Sequence, residues 1–124
     1  MREIVAGLLE DVSTRDAFCF SVRCAECGGV WSSSKTAFSK AGTTPASEGK
    51  RIVFDALHQK ERERARNAAI KEAMESFNCC PICGRLVCNR CFLICEDLDM
   101  CVRCALRLNE HGAPVLPPSV EAAK

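Results

Sequence analysis

Eight of the eleven cysteines in this 124-residue chain fall into four Cys-x-x-Cys pairs: Cys24/Cys27, Cys80/Cys83, Cys88/Cys91 and Cys101/Cys104. Two intervening residues let the backbone turn so that both sulfurs can face one ion. The N–H groups of that turn can donate to the sulfurs and ease their negative charge. Zinc takes four ligands in a tetrahedron, and thiolates suit it well. Eight such ligands make two four-cysteine sites, so two structural Zn²⁺ ions are expected. Two of the pairs carry a glycine next, in Cys24-Ala-Glu-Cys27-Gly28 and Cys80-Pro-Ile-Cys83-Gly84. A missing Cβ there allows the positive φ that a tight knuckle needs. The other two pairs lack it, and Cys101-Val-Arg-Cys104 leads into a helix whose N-terminal dipole favours thiolate.

Other uses of so many thiols fit less well. An odd number of cysteines leaves one over in a fully disulfide-bonded monomer. The first residues, MREIVAGLLEDVSTRD, carry charges at Arg2, Glu3, Glu10 and Asp11 and no apolar run of signal-peptide length. The expectation is therefore a cytoplasmic, reducing setting. Thiol–disulfide chemistry would need one exposed, low-pKa pair on a βαβ scaffold, a pattern that is missing here. Four thiolates bind iron as well as zinc, and the CxxCG and CPxCG knuckles also resemble those of rubredoxin, so iron-based electron transfer stands as an alternative. Closed all-cysteine coordination leaves no position for a reacting water, the mark of a structural metal. GTTPASEGKR fails as a phosphate loop, because six residues separate Gly42 from Gly49 and Arg51 replaces the Ser or Thr. With no serine, histidine and carboxylate set either, the chain is read as not an enzyme.

The eight ligands can be paired in two ways. Sequentially, Cys24, Cys27, Cys80 and Cys83 share one ion as a zinc ribbon, and Cys88, Cys91, Cys101 and Cys104 the other. Interleaved, the first pair joins the third and the second joins the fourth. CPICGRLVCNRC (residues 80–91), with four residues between its pairs, resembles the centre of FYVE-type fingers. The order of all four pairs is similar to that family and, loosely, to PHD fingers. Both are cross-braced, treble-clef domains, and the resemblance implies the interleaved pairing. It covers about 25 residues and the distant Cys24/Cys27 pair. The basic, histidine-rich stretch of the FYVE lipid site has no counterpart: Phe77-Asn78-Cys79 stands there, and Asp99-Met100 precedes the last pair. The ligand scaffold is therefore carried over and the phosphoinositide activity is not.

The elements that must position these pairs follow from pattern. Ile4, Val5, Leu8, Leu9 and Val12 recur at helical spacing, predicting an N-terminal helix within residues 1–16. Phe18, Phe20 and Val22 alternate with Cys19, Ser21 and Arg23 as a strand into Cys24. Residues 32–44, rich in Ser, Thr, Gly and Lys, read as a loop. A long helix follows over about 45–77, capped by Thr44 with Pro45 at its first position, or by Ser47. Its stretch HQKERERARN has no large apolar residue, so the helix reads as an arm with a charged, solvated waist. Val102–His111 should be a last helix closed at Gly112, and 112–124 a disordered tail. The fold class is thus a small α+β zinc-finger domain: two zinc knuckles with short β-hairpins over 17–111, a long helical insertion at 45–78 and a short C-terminal helix.

Among the remaining candidates, Cys19 and Cys95 read as core residues, Cys79 as a residue outside the ligand set that could only substitute for its neighbour Cys80, His58 as solvated and His111 as a helix end. Arg23, Arg85, Arg90 and Arg103 flank the pairs and would offset the charge of the metal–thiolate centres. The formal charge is +1; eight thiolates add −8 and two zinc ions +4, leaving −3. The expected function is a non-catalytic adaptor presenting a zinc-stapled surface to a protein partner. The alternatives are a nucleic-acid-binding zinc ribbon using Lys50, Arg51, Arg62, Arg64 and Arg66, and the iron protein. No membrane association is expected, and the long helix could pair with its copy in a dimer.

Overall fold

The chain was analysed as a computed structural model, which describes residues 1–115. In chain order it runs α1 (Arg2–Leu8), β1 (Glu10–Asp11), β2 (Ala17–Phe18), β3 (Phe20–Arg23), β4 (Val30–Ser32), β5 (Thr36–Ala37), α2 (Glu48–Ser76), β6 (Phe77–Cys79), β7 (Leu86–Cys88), β8 (Phe92–Cys95), β9 (Met100–Cys101), α3 (Val102–Leu108) and β10 (Gly112–Pro114). The α+β class is as expected, with every sheet small and antiparallel: β1-β3-β4, β10-β8-β9, β2-β5 and β6-β7.

Helix α2 is the axis of the molecule. Its 29 residues span about 43 Å at 1.5 Å per residue. Ser47 caps it, its hydroxyl accepting from the Lys50 N–H at 3.2 Å, so the start falls to the second candidate and not to Thr44. The helix closes at Ser76 because Phe77 turns to extended backbone and opens β6. One face of α2 touches two separate cores. Toward its C-terminal end, Ile70, Ala73 and Phe77 pack with Val5, Val22, Leu86, Val87, Phe92, Met100 and Ala105, together with Cys24, Cys80, Cys91, Cys101 and Cys104. Further back, Ala69, Ala65, Leu57 and Phe54 cover Phe18, Phe20 and Phe38. Burying each phenylalanine is worth roughly 1.5–3 kcal/mol. The cysteines are thus part of the larger core.

The charged waist is solvated on one side only, which corrects the arm: Gln59, Lys60, Glu63, Arg64 and Asn67 are exposed, while the other side docks onto the rest of the fold. Glu61 accepts from the Ser39 N–H at 3.0 Å and from its hydroxyl. Arg62 pairs with Asp11 at 2.7 Å and lies over the Phe20 ring. Arg66 donates to the Ala6 carbonyl at 3.0 Å, and Glu72 accepts from Ser34 at 3.2 Å. His58 is half-buried against Phe18 and Phe38, ring centroids 5.0 and 4.7 Å away. Polar groups therefore dock this stretch onto the strands where apolar ones would ordinarily do so.

Several boundaries also move. Helix α1 stops at Leu8 and buries only Val5; Glu10 and Asp11 then pair with Ser21 and Phe20. The stretch 32–44 contains β5 and the buried Phe38. Helix α3 ends at Leu108, closed by Asn109 at φ 57°, while Gly112 enters β10 opposite Cys95. So 112–114 form a strand, and the rest of the predicted tail, 116–124, lies outside the described residues.

Candidate metal centres

The first two cysteine pairs are built alike. In each, the N–H of the leading cysteine bonds to the carbonyl five residues on: Cys24 to Gly29 and Cys80 to Arg85, both at 2.9 Å. The glycine four residues on returns its N–H to the leading cysteine's carbonyl, Gly28 at 3.0 Å and Gly84 at 2.8 Å. Those glycines sit at φ 73° and 78°, conformations an L side chain resists. The turn aims N–H groups inward: Glu26 and Cys27 donate to Cys24 Sγ at 3.4 Å, and Gly29 to Cys27 Sγ at 3.4 Å. Strand β7 carries Cys88 out of the second knuckle, a turn returns Cys91, and β9 delivers Cys101 to the head of α3, which holds Cys104.

The sulfurs gather into two sets. Cys24, Cys27, Cys88 and Cys91 form one; Cys80, Cys83, Cys101 and Cys104 form the other. Within each set all sulfurs lie within 4.8 Å of one another. The arrangement is interleaved and not sequential. Cross-pair separations are 3.8 Å for Cys27–Cys88, 3.8 Å for Cys80–Cys104 and 3.7 Å for Cys83–Cys101. A disulfide would need about 2.05 Å. A tetrahedron with metal–sulfur bonds of about 2.3 Å has edges of about 3.8 Å. The donor sets therefore fit a tetrahedral thiophilic ion, and each could hold one.

Charge points the same way. Burial opposes ionisation of Cys24, but the N–H groups of Cys27, Cys88 and Glu26 outweigh it and bring the thiol down to about 7. The Arg85 backbone N–H and guanidinium draw Cys83 down to about 6. Burial raises Cys91 well above the ordinary thiol range, helped by its neighbour Cys88. Burial and the sulfurs of Cys101, Cys83 and Cys80 push Cys104 up to about 12. The first cage thus holds one thiol drawn down, Cys24, against two raised, Cys88 and Cys91, and the second holds two drawn down, Cys80 and Cys83, against one raised, Cys104. A dication is the group that lets all four ionise together.

Each centre is tied together by its own backbone, and one side chain links the first knuckle to the second centre. The Cys88 N–H donates to Cys24 Sγ at 3.3 Å, and the Cys101 N–H to Cys80 Sγ at 3.4 Å, so each set is braced by backbone from its second half. Arg85, in the second knuckle, donates to the Ala25 carbonyl at 3.0 Å, to Glu26 at 2.7 Å and to Cys101 Sγ at 3.5 Å. It therefore ties the first knuckle to the second centre. Arg103 approaches Glu26 at 3.6 Å, and Arg23 donates to the Gly28 carbonyl at 2.8 Å. A Cβ on Gly29 would meet the Arg90 guanidinium at 3.4 Å, so that side chain sits beside Cys27. The arginines flanking the pairs are thus held by the knuckles. Glu26, which anchors two of them, was missed in the sequence; its place inside a CxxC was the only hint.

The three unpaired cysteines lie outside both sets. Cys19 is buried with its Sγ 3.4 Å from the Ser33 carbonyl. Cys79 approaches the Gly84 carbonyl at 3.5 Å and Cys95 the Leu93 carbonyl at 3.9 Å. Comparison with known proteins finds no matching family model, no matching curated protein and no matching solved structure. The likeness to cross-braced fingers rests on the cysteine spacing and the interleaved geometry alone. Among the described residues no helix is long and apolar enough to cross a membrane.

Proposed function

We propose that the chain is a non-catalytic adaptor whose fold is stapled by two structural Zn²⁺ ions in a cross-braced, treble-clef-like arrangement. Cys24, Cys27, Cys88 and Cys91 hold one ion, and Cys80, Cys83, Cys101 and Cys104 the other. The observation that carries this reading is the pair of four-sulfur cages at tetrahedral spacing, seated against the main core with Cys27 and Cys83 at the surface. All four positions are taken by thiolates, so the ion supplies cross-linking and charge neutralisation and has no site for a reactive water. Such a protein belongs in a reducing, cytoplasmic environment, because thiols this close would otherwise oxidise.

The test has two parts. Elemental analysis of protein expressed without added metal should give two zinc ions per chain, and chelation should unfold it. Iron in their place would point to electron transfer instead. For the adaptor role, the zinc-loaded chain is used as bait, and candidates are retested as purified proteins by calorimetry. Failure of every purified candidate to bind the loaded chain directly would sink that role while leaving the metal assignment standing.

A further inference from the structure

The end of α2 furthest from the cysteines carries an exposed feature that the metal centres do not explain. Lys40, Thr43, Thr44, Pro45, Ala46, Lys50, Val53, Phe54 and Leu57 line a cleft of about 370 Å³ between the 40–46 loop and the first turns of the helix. Its floor is apolar: Phe54 and Leu57 are half-buried, and Val53 is 64 % exposed beside Ile52 at 63 %. Val53 thus continues the apolar lining of the cleft outward into solvent. The rim is charged with one sign. Lys40 and Lys50 line the cleft and no carboxylate does. A second cavity of about 320 Å³ shares Thr44, Pro45, Ala46 and Phe54 with it, and Arg15, Arg51, Glu48 and Asp55 are among its lining residues. Among the described residues, none of Arg15, Lys40, Lys50 and Arg51 has a carboxylate within salt-bridge distance. By contrast Arg62, Arg85 and Arg103 are all paired. The cations at this end are uncommitted.

We infer that this cleft is the adaptor's docking site for an acidic peptide segment of a partner protein, one that inserts a branched apolar side chain between Lys40 and Lys50. The inference rests on the adaptor reading and gives it a place and a ligand chemistry. The apolar floor takes the side chain, and the two lysines neutralise carboxylates on either side of it. A phosphate backbone suits the surface less well. It would leave Val53, Phe54 and Leu57 against polar groups. The cleft lies about 30 Å along α2 from the turns that pack against the cages, so the metal end anchors the helix and its far end is left to bind.

The probe is a short fluorescein-labelled peptide with one leucine flanked by glutamates, titrated by anisotropy into the zinc-loaded full chain. Two control peptides replace the leucine by serine or the glutamates by lysines. Saturable binding is expected for the first peptide alone, weakening with salt as the Debye length falls from about 10 Å at 0.1 M to about 3 Å at 1 M. Lys40→Glu/Lys50→Glu should weaken it about tenfold or more, and Val53→Ser should weaken it without changing the salt dependence. All three positions are exposed, and unchanged circular dichroism and metal content verify the fold. Binding that survives the double reversal, or affinity for duplex DNA or RNA with none for the peptide, overturns the proposal. So does a chain that only self-associates. If purified partners still bind the loaded chain and its double-reversal variant equally, the adaptor reading holds and the cleft assignment fails.

Discussion

Gly112→Ala separates the observed C-terminal structure from the one its sequence invites. Strand β10 lies against β8 with Gly112 opposite Cys95, Ala113 opposite Ile94 and Pro114 opposite Leu93. A Cβ on Gly112 would overlap the Ile94 carbonyl oxygen and stand 2.8 Å from both its carbonyl carbon and Cys95 Sγ. Ordinary carbon contacts lie at about 3.5–4.0 Å, so the strands must part by about 1 Å. Much of the obstacle is backbone, and no rotamer change relieves it. Overpacking of this kind costs about 1–3 kcal/mol, and the lost flexibility of the unfolded chain returns about 0.4–1 kcal/mol. A net loss of about 1–2 kcal/mol lowers Tm by roughly 3–10 °C in a domain of this size. Scanning calorimetry at a fixed excess of zinc reads it, since metal concentration itself moves Tm. Hydrogen exchange at the Val115 amide, bonded to the Phe92 carbonyl at 3.0 Å, reads the same loss locally. Asn109→Gly is the control: Asn109 holds the left-handed position at φ 57°, so glycine there should be neutral or stabilising. An alanine at 112 with unchanged Tm and unchanged Val115 protection would refute the strand pairing.

Three further outcomes follow from the same physical accounting. Phe77→Ala removes a fully buried ring packed edge-on to Trp31, centroids 6.2 Å apart; it should cost about 3–5 kcal/mol, read as a lower urea midpoint with a red-shifted Trp31 emission. Ser47→Ala should cost about 1 kcal/mol and unprotect the Lys50 amide, whereas Thr44→Ala leaves both unchanged. Burial alone would raise the Asp11 carboxyl, but Ser13 and Arg62 outweigh it and hold it below the usual carboxylate range. Its contribution is therefore complete above the unfolded carboxylate pKa and is lost as pH falls through the lower folded value. An NMR titration should find Asp11 below its unfolded-peptide value, and Arg62→Ala should return it toward that value.

What could be read from the sequence was what short-range geometry decides. The CxxCG knuckles need a glycine at positive φ within five residues of the first sulfur, and Gly28 and Gly84 supply it. Ser47 was legible as a cap because its hydroxyl sits three residues before the amide it accepts from. The pairing between the cages was not. Cys24 reaches Cys88 across sixty-four positions, and only the likeness to cross-braced fingers favoured that choice over the sequential one. The charged waist misled because one side of it docks through Ser39, Asp11 and the Ala6 carbonyl, groups far away in the chain that no local pattern singles out. A polar face looks solvated until its partners are known. His58 shares that cause, being half-covered by phenylalanines from strands and loops distant in the chain. At the C-terminus glycine is ambiguous: it serves equally at a helix cap and at a crowded strand pair, and Asn109 had already taken the first role.

The central claim is that two four-sulfur cages are interleaved, and paired cysteine losses test it directly. Metal content is measured by native mass spectrometry for Cys24→Ser/Cys88→Ser and for Cys24→Ser/Cys80→Ser. The first variant breaks one cage twice and should keep one zinc ion in the set Cys80, Cys83, Cys101 and Cys104. The second breaks both cages and should retain no tightly held zinc. The reverse result, one ion kept in the second variant and none in the first, would show sequential sites and contradict the fold at its core.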